Sequence, residues 1–292
     1  MDLPKISSIS KKVVVALIGL FLLLFLAVHL GINLCLLRSD GGKWFIDASN
    51  FMGTNYVVKV FEVVLLAAIA LHVVITLLLQ FRNWKARPVR YHRPQKTKTS
   101  AGSKFTLYTG VLIFCFLILH FCNFYFVKKG IVEGKYMVKI ENLLTEDFSK
   151  NYMNFENGGM SESEAQDFIA KVQGIRQITE KAEARNLVSQ DGLWITQLSE
   201  EDIEPVKDDF KFQPDFYHMS AELFQNKAYS IIYIILFFVL GIHLVHAFQS
   251  ACQTLGLNHN KYNRFIEVFS WCYAAVITLG FTAIPVYFMF FF

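Results

Sequence analysis

Five runs of apolar sequence constrain this 292-residue chain more than any other feature. They cover roughly 13–36, 57–80, 105–127, 228–252 and 265–290, and each is long enough to cross a bilayer, which takes about 20 apolar residues. Charged residues make up only 18% of the chain and aromatic ones 15%, 29 of them Phe. A water-soluble domain carries closer to a quarter charged residues. The first run is longer than the apolar stretch of a signal peptide and no small-residue cleavage site follows, so it is expected to remain as a span. The fold class expected is an all-α membrane protein, a five-helix transmembrane bundle.

The loops set the expected orientation through their Lys and Arg content. Lys5, Lys11 and Lys12 precede the first span. The loop 81–104 carries Arg82, Lys85, Arg87, Arg90, Arg93, Lys96, Lys98 and Lys104 with no acidic residue, and the turn 257–264 adds Lys261 and Arg264. With five spans these 13 basic residues fall on one side, expected to be cytoplasmic, which puts the N-terminus inside and the C-terminus outside. Residues 128–227 carry 12 basic and 19 acidic residues, a net −7 that leaves +11 for the rest and explains the modest overall +4. The expected organisation is therefore spans one to three in 1–127, an outer insertion in 128–227, and spans four and five in 228–292. No nucleic-acid partner is expected.

Within the insertion, Ser161 and Glu164 stand in capping-box spacing. Phe168, Ile169, Val172, Ile175 and Ile178 then recur at near-helical intervals, so one or two amphipathic helices are expected from Ser161 to Asn186. The acidic run "SEEDIEPVKDDF" and Pro205 end that pattern, and for the non-helical half a solvated loop and folded structure stand as even alternatives, since structureless loops this long are uncommon in compact folds. The five cysteines lie in or beside the apolar runs without a CxxC pair, which excludes an iron–sulfur or zinc framework of the usual spacing.

Four histidines fall in four different spans. His29 lies 16 residues past the start of its span, and His72, His120 and His243 lie 15 past theirs. At 1.5 Å per residue each is roughly 22–24 Å into a core of about 30 Å. Because the spans alternate in direction, His29 with His120 and His72 with His243 form two layers about 14 Å apart. Intramembrane imidazoles are costly and mark function, or else hydrogen-bond between helices. Paired layers suit bis-histidine ligation of two haems, each imidazole giving one nitrogen to iron and the other to a hydrogen-bond partner. His246, one turn beyond His243, is the alternative ligand or a contact to a haem propionate. Glu62, at the depth of the His29/His120 layer, is a candidate for proton exchange with a quinone. A pair with Lys59 is its plainer reading. Asn33 and Asn123 are candidates for quinone or propionate contacts, and Arg82, Lys85 and Lys12 for propionates at the other layer. His92, His218 and His259 read as solvated loop residues.

The stretches "SSISKKVVVALIGLFLLLFLAVHLGINL" (7–34), Glu62 through His72 into "ARPVRY" (86–91), "FLILHFCNFYF" (116–126), "GIHLVHAFQSACQTLG" (241–256) and "ITLGFTAIPVYFMFFF" (277–292) carry a resemblance. In this order, with one histidine per span, the chain resembles the single-chain, five-helix, di-haem cytochrome b anchor of succinate:quinone oxidoreductases. The resemblance implies two haems b, a distal one held by His29 with His120 and a proximal one held by His72 with His243. It favours His243 over His246, since the fourth-span ligand of that family is followed thirteen residues later by glycine, here Gly256. It further implies a flavoprotein subunit carrying FAD and an iron–sulfur subunit at the cytoplasmic face, menaquinone as the membrane substrate, and a bacterial cytoplasmic membrane. A dimer of the complex is compatible with it. The long segment 128–227 departs from the family pattern, so no role for it is implied. A hydrogenase or formate-dehydrogenase cytochrome b, or a haem-free transporter with a histidine proton relay, are the competing classes.

Overall fold

The computed structural model describes residues 8–86, 101–143 and 146–291. In chain order the helices are α1 (Ser8–Asn33), α2 (Lys43–Thr54), α3 (Tyr56–Ala86), α4 (Ala101–His120), α5 (Glu146–Glu156), α6 (Glu162–Arg185), α7 (Phe216–Gln225), α8 (Lys227–Thr254) and α9 (Asn263–Phe290), with short helical turns between them. The strands are β1 (Tyr136–Lys139), β2 (Trp194–Leu198) and β3 (Gln213–Pro214). The chain divides into two units: 1–34, 51–117 and 227–291 form one, and 35–50 with 118–226 form the other.

Five helical segments, Ile9–Leu37, Tyr56–Ala86, Phe105–Lys128, Lys227–Thr254 and Asn263–Phe290, are long and apolar enough to cross a membrane. This is a multi-pass membrane protein. In the first unit α1 packs against α3, α8 and α9, and α8 and α9 form the most extensive pair. Between apolar helices in lipid, close approach and polar cross-links take over from hydrophobic burial. Gly241 on α8 lies so near α9 that a Cβ would collide with the Thr278 hydroxyl, and a Cβ at Gly280 would lie 2.8 Å from Leu30 on α1. The Gln249 amide donates to Ser270 Oγ at 2.8 Å, and the Tyr273 hydroxyl donates to the Leu23 carbonyl, tying α9 to α1. Phe116 of α4 meets Tyr233 and Phe237 of α8 edge-on, and Phe237 stacks on Phe281 of α9. Packing is uneven. Eight residues are buried along α8 and eight along α9, whereas Ala68 alone is buried along α3.

The second unit adds a small sheet to the helix expected from Ser161 to Asn186. Its core is a three-stranded antiparallel sheet of order β2–β1–β3, with a register shift between Tyr136 and Val138. Val138, Ile195 and Leu198 from the sheet pack with Ile178 and Ala182 of α6 and with Ile203 and Val206. Those last two belong to the acidic run that ends the helical pattern. Ser199 and Asp202 form a second capping box there, folding Glu200–Ile203 and Glu204–Val206 into helical turns whose apolar residues face the core. Helix α6 begins where the sequence places it. Ser161 and Glu164 exchange both capping-box hydrogen bonds, and Asn186 ends the helix in the left-handed conformation at φ 52°.

The segment 35–50 belongs to this unit. Lys43 pairs with Asp191 at 2.9 Å. Gly42, at φ +81°, lies so close to Tyr217 that a Cβ would stand 2.5 Å from the ring. The loop is therefore clamped against the insertion through a backbone only glycine adopts cheaply.

Candidate functional site

In the first unit α4 brings Thr109 to His243 of α8. Thr109 Oγ1 stands 3.3 Å from His243 Nδ1 and 3.0 Å from the carbonyl of Thr106. A hydroxyl has one proton, and the Thr106 carbonyl can only accept it. Donating to the Thr106 carbonyl, the hydroxyl accepts from His243 Nδ1–H, the tautomer that leaves Nε2 bare; donating to Nδ1 instead, it would leave the proton on Nε2. Thr109 is buried, at 9% exposure, so water is a poor substitute. The next residue, Gly110, presents no side chain to the ring, and a Cβ there would lie 3.8 Å from His243 Cε1.

His72 on α3 faces Gly19 of α1 in the same way, with a Cβ position 4.0 Å from its Cε1. Its Nδ1 is buried and accepts or donates no hydrogen bond within the described residues. Thr76, one turn on, spends its hydroxyl on the carbonyls of His72 and Val73. An unsatisfied buried imidazole nitrogen costs about 1–3 kcal/mol. His243 lies within electrostatic reach of both His72 and His246.

His29 on α1 is stacked on Phe25 at 5.3 Å and approached by Phe281 of α9 at 5.7 Å. Asn33, read from the sequence as a contact to a ligand, instead turns back on His29. Its amide donates to the His29 carbonyl at 2.8 Å and stands 3.3 Å from Nδ1. His120 closes α4 and belongs to the second unit. Directly after it, Phe121–Tyr125 form a π-helical turn, a rare local widening found often at functional sites. Asn123 lies within that turn, and Phe124 packs against the His120 ring at 5.2 Å.

Glu62 is half-buried on α3. Lys12, Arg82 and Lys85 are exposed, Lys85 in the final turn of α3. Most of the basic loop, including Arg87 to Lys98 and His92, lies outside the described residues. His259 is an exposed turn residue whose ring accepts from the Lys261 N–H. His218 is not a solvated loop residue. It sits in the first turn of α7 with its ring on Asp215, because Asp215 caps that helix. In the same unit Asp191 is held down at about 2 by the hydroxyl of Ser189, by Lys43 and by the Leu193 N–H.

These residues can be tested against a porphyrin iron, which asks each axial histidine for one bare and one anchored nitrogen. His243 meets that demand through Thr109. His72 offers a buried ring with a nitrogen to satisfy, and glycines leave a side-chain-free wall beside both rings. Among the described residues no three metal-ligating side chains converge; a porphyrin brings four ligands of its own and needs only two. His72 and His243 fit the group. No protein-family model, curated protein or solved structure matches this chain.

Proposed function

We propose that this chain is the di-haem cytochrome b subunit of a succinate:quinone oxidoreductase, anchoring a flavoprotein and an iron–sulfur subunit and exchanging electrons with menaquinone. The observation that carries the reading is the His243 ring, hydrogen-bonded to Thr109 through Nδ1 so that Nε2 is the nitrogen left for iron, within electrostatic reach of His72. A transporter relay would want the opposite, an imidazole free to exchange tautomers. When bound, the two haems supply one-electron carriers at two depths of the membrane.

The chain's own residues supply position and polarity. His72 and His243 hold the proximal group, with Gly19 and Gly110 admitting a flat ring beside them. On the family resemblance His29 and His120 would hold the distal one; within its own unit His29 is steadied by Phe25 and Phe281. Glu62 exchanges a proton with the quinone on the distal side. The 13 basic residues of the three loops face the cytoplasm and receive the partner subunits, so the N-terminus is inside and the C-terminus outside a bacterial cytoplasmic membrane. An electron crossing between the two sides couples the reaction to the membrane potential, at about 2.3 kcal/mol per charge per 100 mV for a full crossing.

Separate substitutions test the ligand set. His243→Ala removes the proximal b-type absorbance from dithionite-reduced membranes, whereas His246→Ala shifts it without loss. The reverse outcome would put the fourth span one turn out of register, and loss in neither would reject the assignment.

A further inference from the structure

The first membrane-crossing segment ends at Leu37, so the next residue, Arg38, stands where the bilayer gives way to water. The stretch that follows, "SDGGKW" (39–44), turns the chain back onto it. The Asp40 carbonyl accepts the Lys43 N–H at 3.2 Å, and its carboxylate accepts the Gly42 N–H at 3.1 Å. Gly41 and Gly42 take φ of +64° and +81°, a turn that glycine makes cheaply. Helix α2 then begins, and Trp44 in its first turn lies beneath the Arg38 guanidinium, whose carbon is 4.3 Å from the ring centre. Both residues belong to the segment 35–50 of the second unit.

The neighbours of this pair have other work. Phe45 and Ile46 are buried in the unit, and Lys43 is spent on Asp47 and Asp191. Trp44 is left 56% exposed. An indole with an apolar body and one polar edge is best placed at a membrane–water boundary. Its hydrogen-bonding capacity points the same way. Arg38 spends Nε on Asp40 at 3.0 Å, while its terminal nitrogens and the Trp44 Nε1–H make no hydrogen bond among the described residues. The third span runs in the same direction as the first and ends alike. Lys128 closes it, Lys129 lies over the Tyr125 ring at 5.3 Å, and Ile131 and Val132 beyond are exposed.

We infer that Arg38 and Trp44 bind the phosphodiester headgroup of a membrane phospholipid, at the membrane face where the first and third spans end. The terminal nitrogens of the guanidinium donate to the phosphate oxygens, a planar fork suited to that geometry. The indole N–H donates to the phosphate or to an ester carbonyl below it, and the apolar body of the ring lies along the upper acyl chain. Asp40 fixes the guanidinium through Nε and offsets its charge, so zwitterionic and anionic phospholipids are taken alike. The occupant is a lipid because Arg38 is joined by one peptide bond to a membrane-crossing segment and Trp44 is held against it. The inference needs only the five spans and is independent of the haem assignment.

The test uses the full chain carrying Trp84→Phe and Trp271→Phe, in nanodiscs of phosphatidylcholine with or without bromine at the 6,7 positions of the acyl chain. The emission of the same chain with Trp44→Phe is subtracted to remove that of Trp194, which is buried. Trp44 emission is expected to be quenched by the brominated lipid and to resist aqueous iodide. Quenching by iodide without a bromine effect puts the ring in water, and insensitivity to both puts it under protein; either overturns the site. In detergent, dihexanoylphosphatidylcholine is expected to shift Trp44 emission and inorganic phosphate is not. An equal response to inorganic phosphate overturns the lipid as occupant. Arg38→Gln, at a side chain 51% exposed, is expected to weaken the lipid response about tenfold, the size of one charge-assisted hydrogen bond. A wild-type response in Arg38→Gln overturns the phosphate contact, and if that variant fails to accumulate, the quenching pattern of the Arg38 chain still decides.

Discussion

Thr109→Val removes one oxygen and keeps the side chain's volume, which makes it the sharpest probe of the His243 geometry. On the haem reading the Thr109 hydroxyl, 3.3 Å from His243 Nδ1, accepts the Nδ1–H while donating to the Thr106 carbonyl. That hydrogen bond pushes electron density onto the imidazole, so a bound ferric iron is favoured over ferrous. One neutral hydrogen bond is worth about 1 kcal/mol net. At about 59 mV per factor of ten in a one-electron equilibrium, its loss raises the midpoint potential of the proximal haem by roughly 40 mV. Loss of an outer-shell partner of this kind also weakens retention by about 10–100-fold. Thr109→Ser keeps the hydroxyl and should stay close to wild type. The assay is a spectroelectrochemical titration of detergent-solubilised complex, with haem content measured in parallel. An unshifted midpoint in Thr109→Val, or equal shifts in the Val and Ser variants, would refute the tautomer argument.

Two further outcomes test the second unit. Gly42→Ala sets a Cβ 2.5 Å from the Tyr217 ring at a φ of +81°, and is expected to destabilise the clamp by about 2–3 kcal/mol; hydrogen exchange over 35–50 and 189–218 should rise together. Asp191 sits at about 2 in the folded unit, below its ordinary 3.8, through Ser189, Lys43 and the Leu193 N–H. Its folded value is depressed, so its stabilisation is complete above about pH 4 and is lost as pH falls toward 2. Acid titration followed by the fluorescence of Trp194, buried in the same unit, should show this loss, and Asp191→Asn should flatten it.

The spans were legible because about 20 apolar residues in a row have few other uses, and the capping box at Ser161 and Glu164 because its chemistry is local. The sheet was not. Its strands are two to five residues long, too short for alternation to register, and "YMVK" and "WITQL" pair only through contacts some 58 residues apart. His218 was misread because its partner, Asp215, acts at once as cap and as carboxylate, a D-x-x-H spacing that could have been noticed. Thr109 was overlooked for lack of charge. Depth arithmetic would have found it: four residues into the third span is about 6 Å, close to the roughly 8 Å of His243 from the same face. Asn33 was legible as a functional neighbour of His29 but not in direction, because its amide is taken up within its own helix turn.

The most direct test of the account is a pyridine haemochrome assay, with a reduced-minus-oxidised spectrum, on the purified chain. The account predicts b-type absorbance at two haems per polypeptide, falling to one in His243→Ala; a chain without b-type absorbance would contradict it.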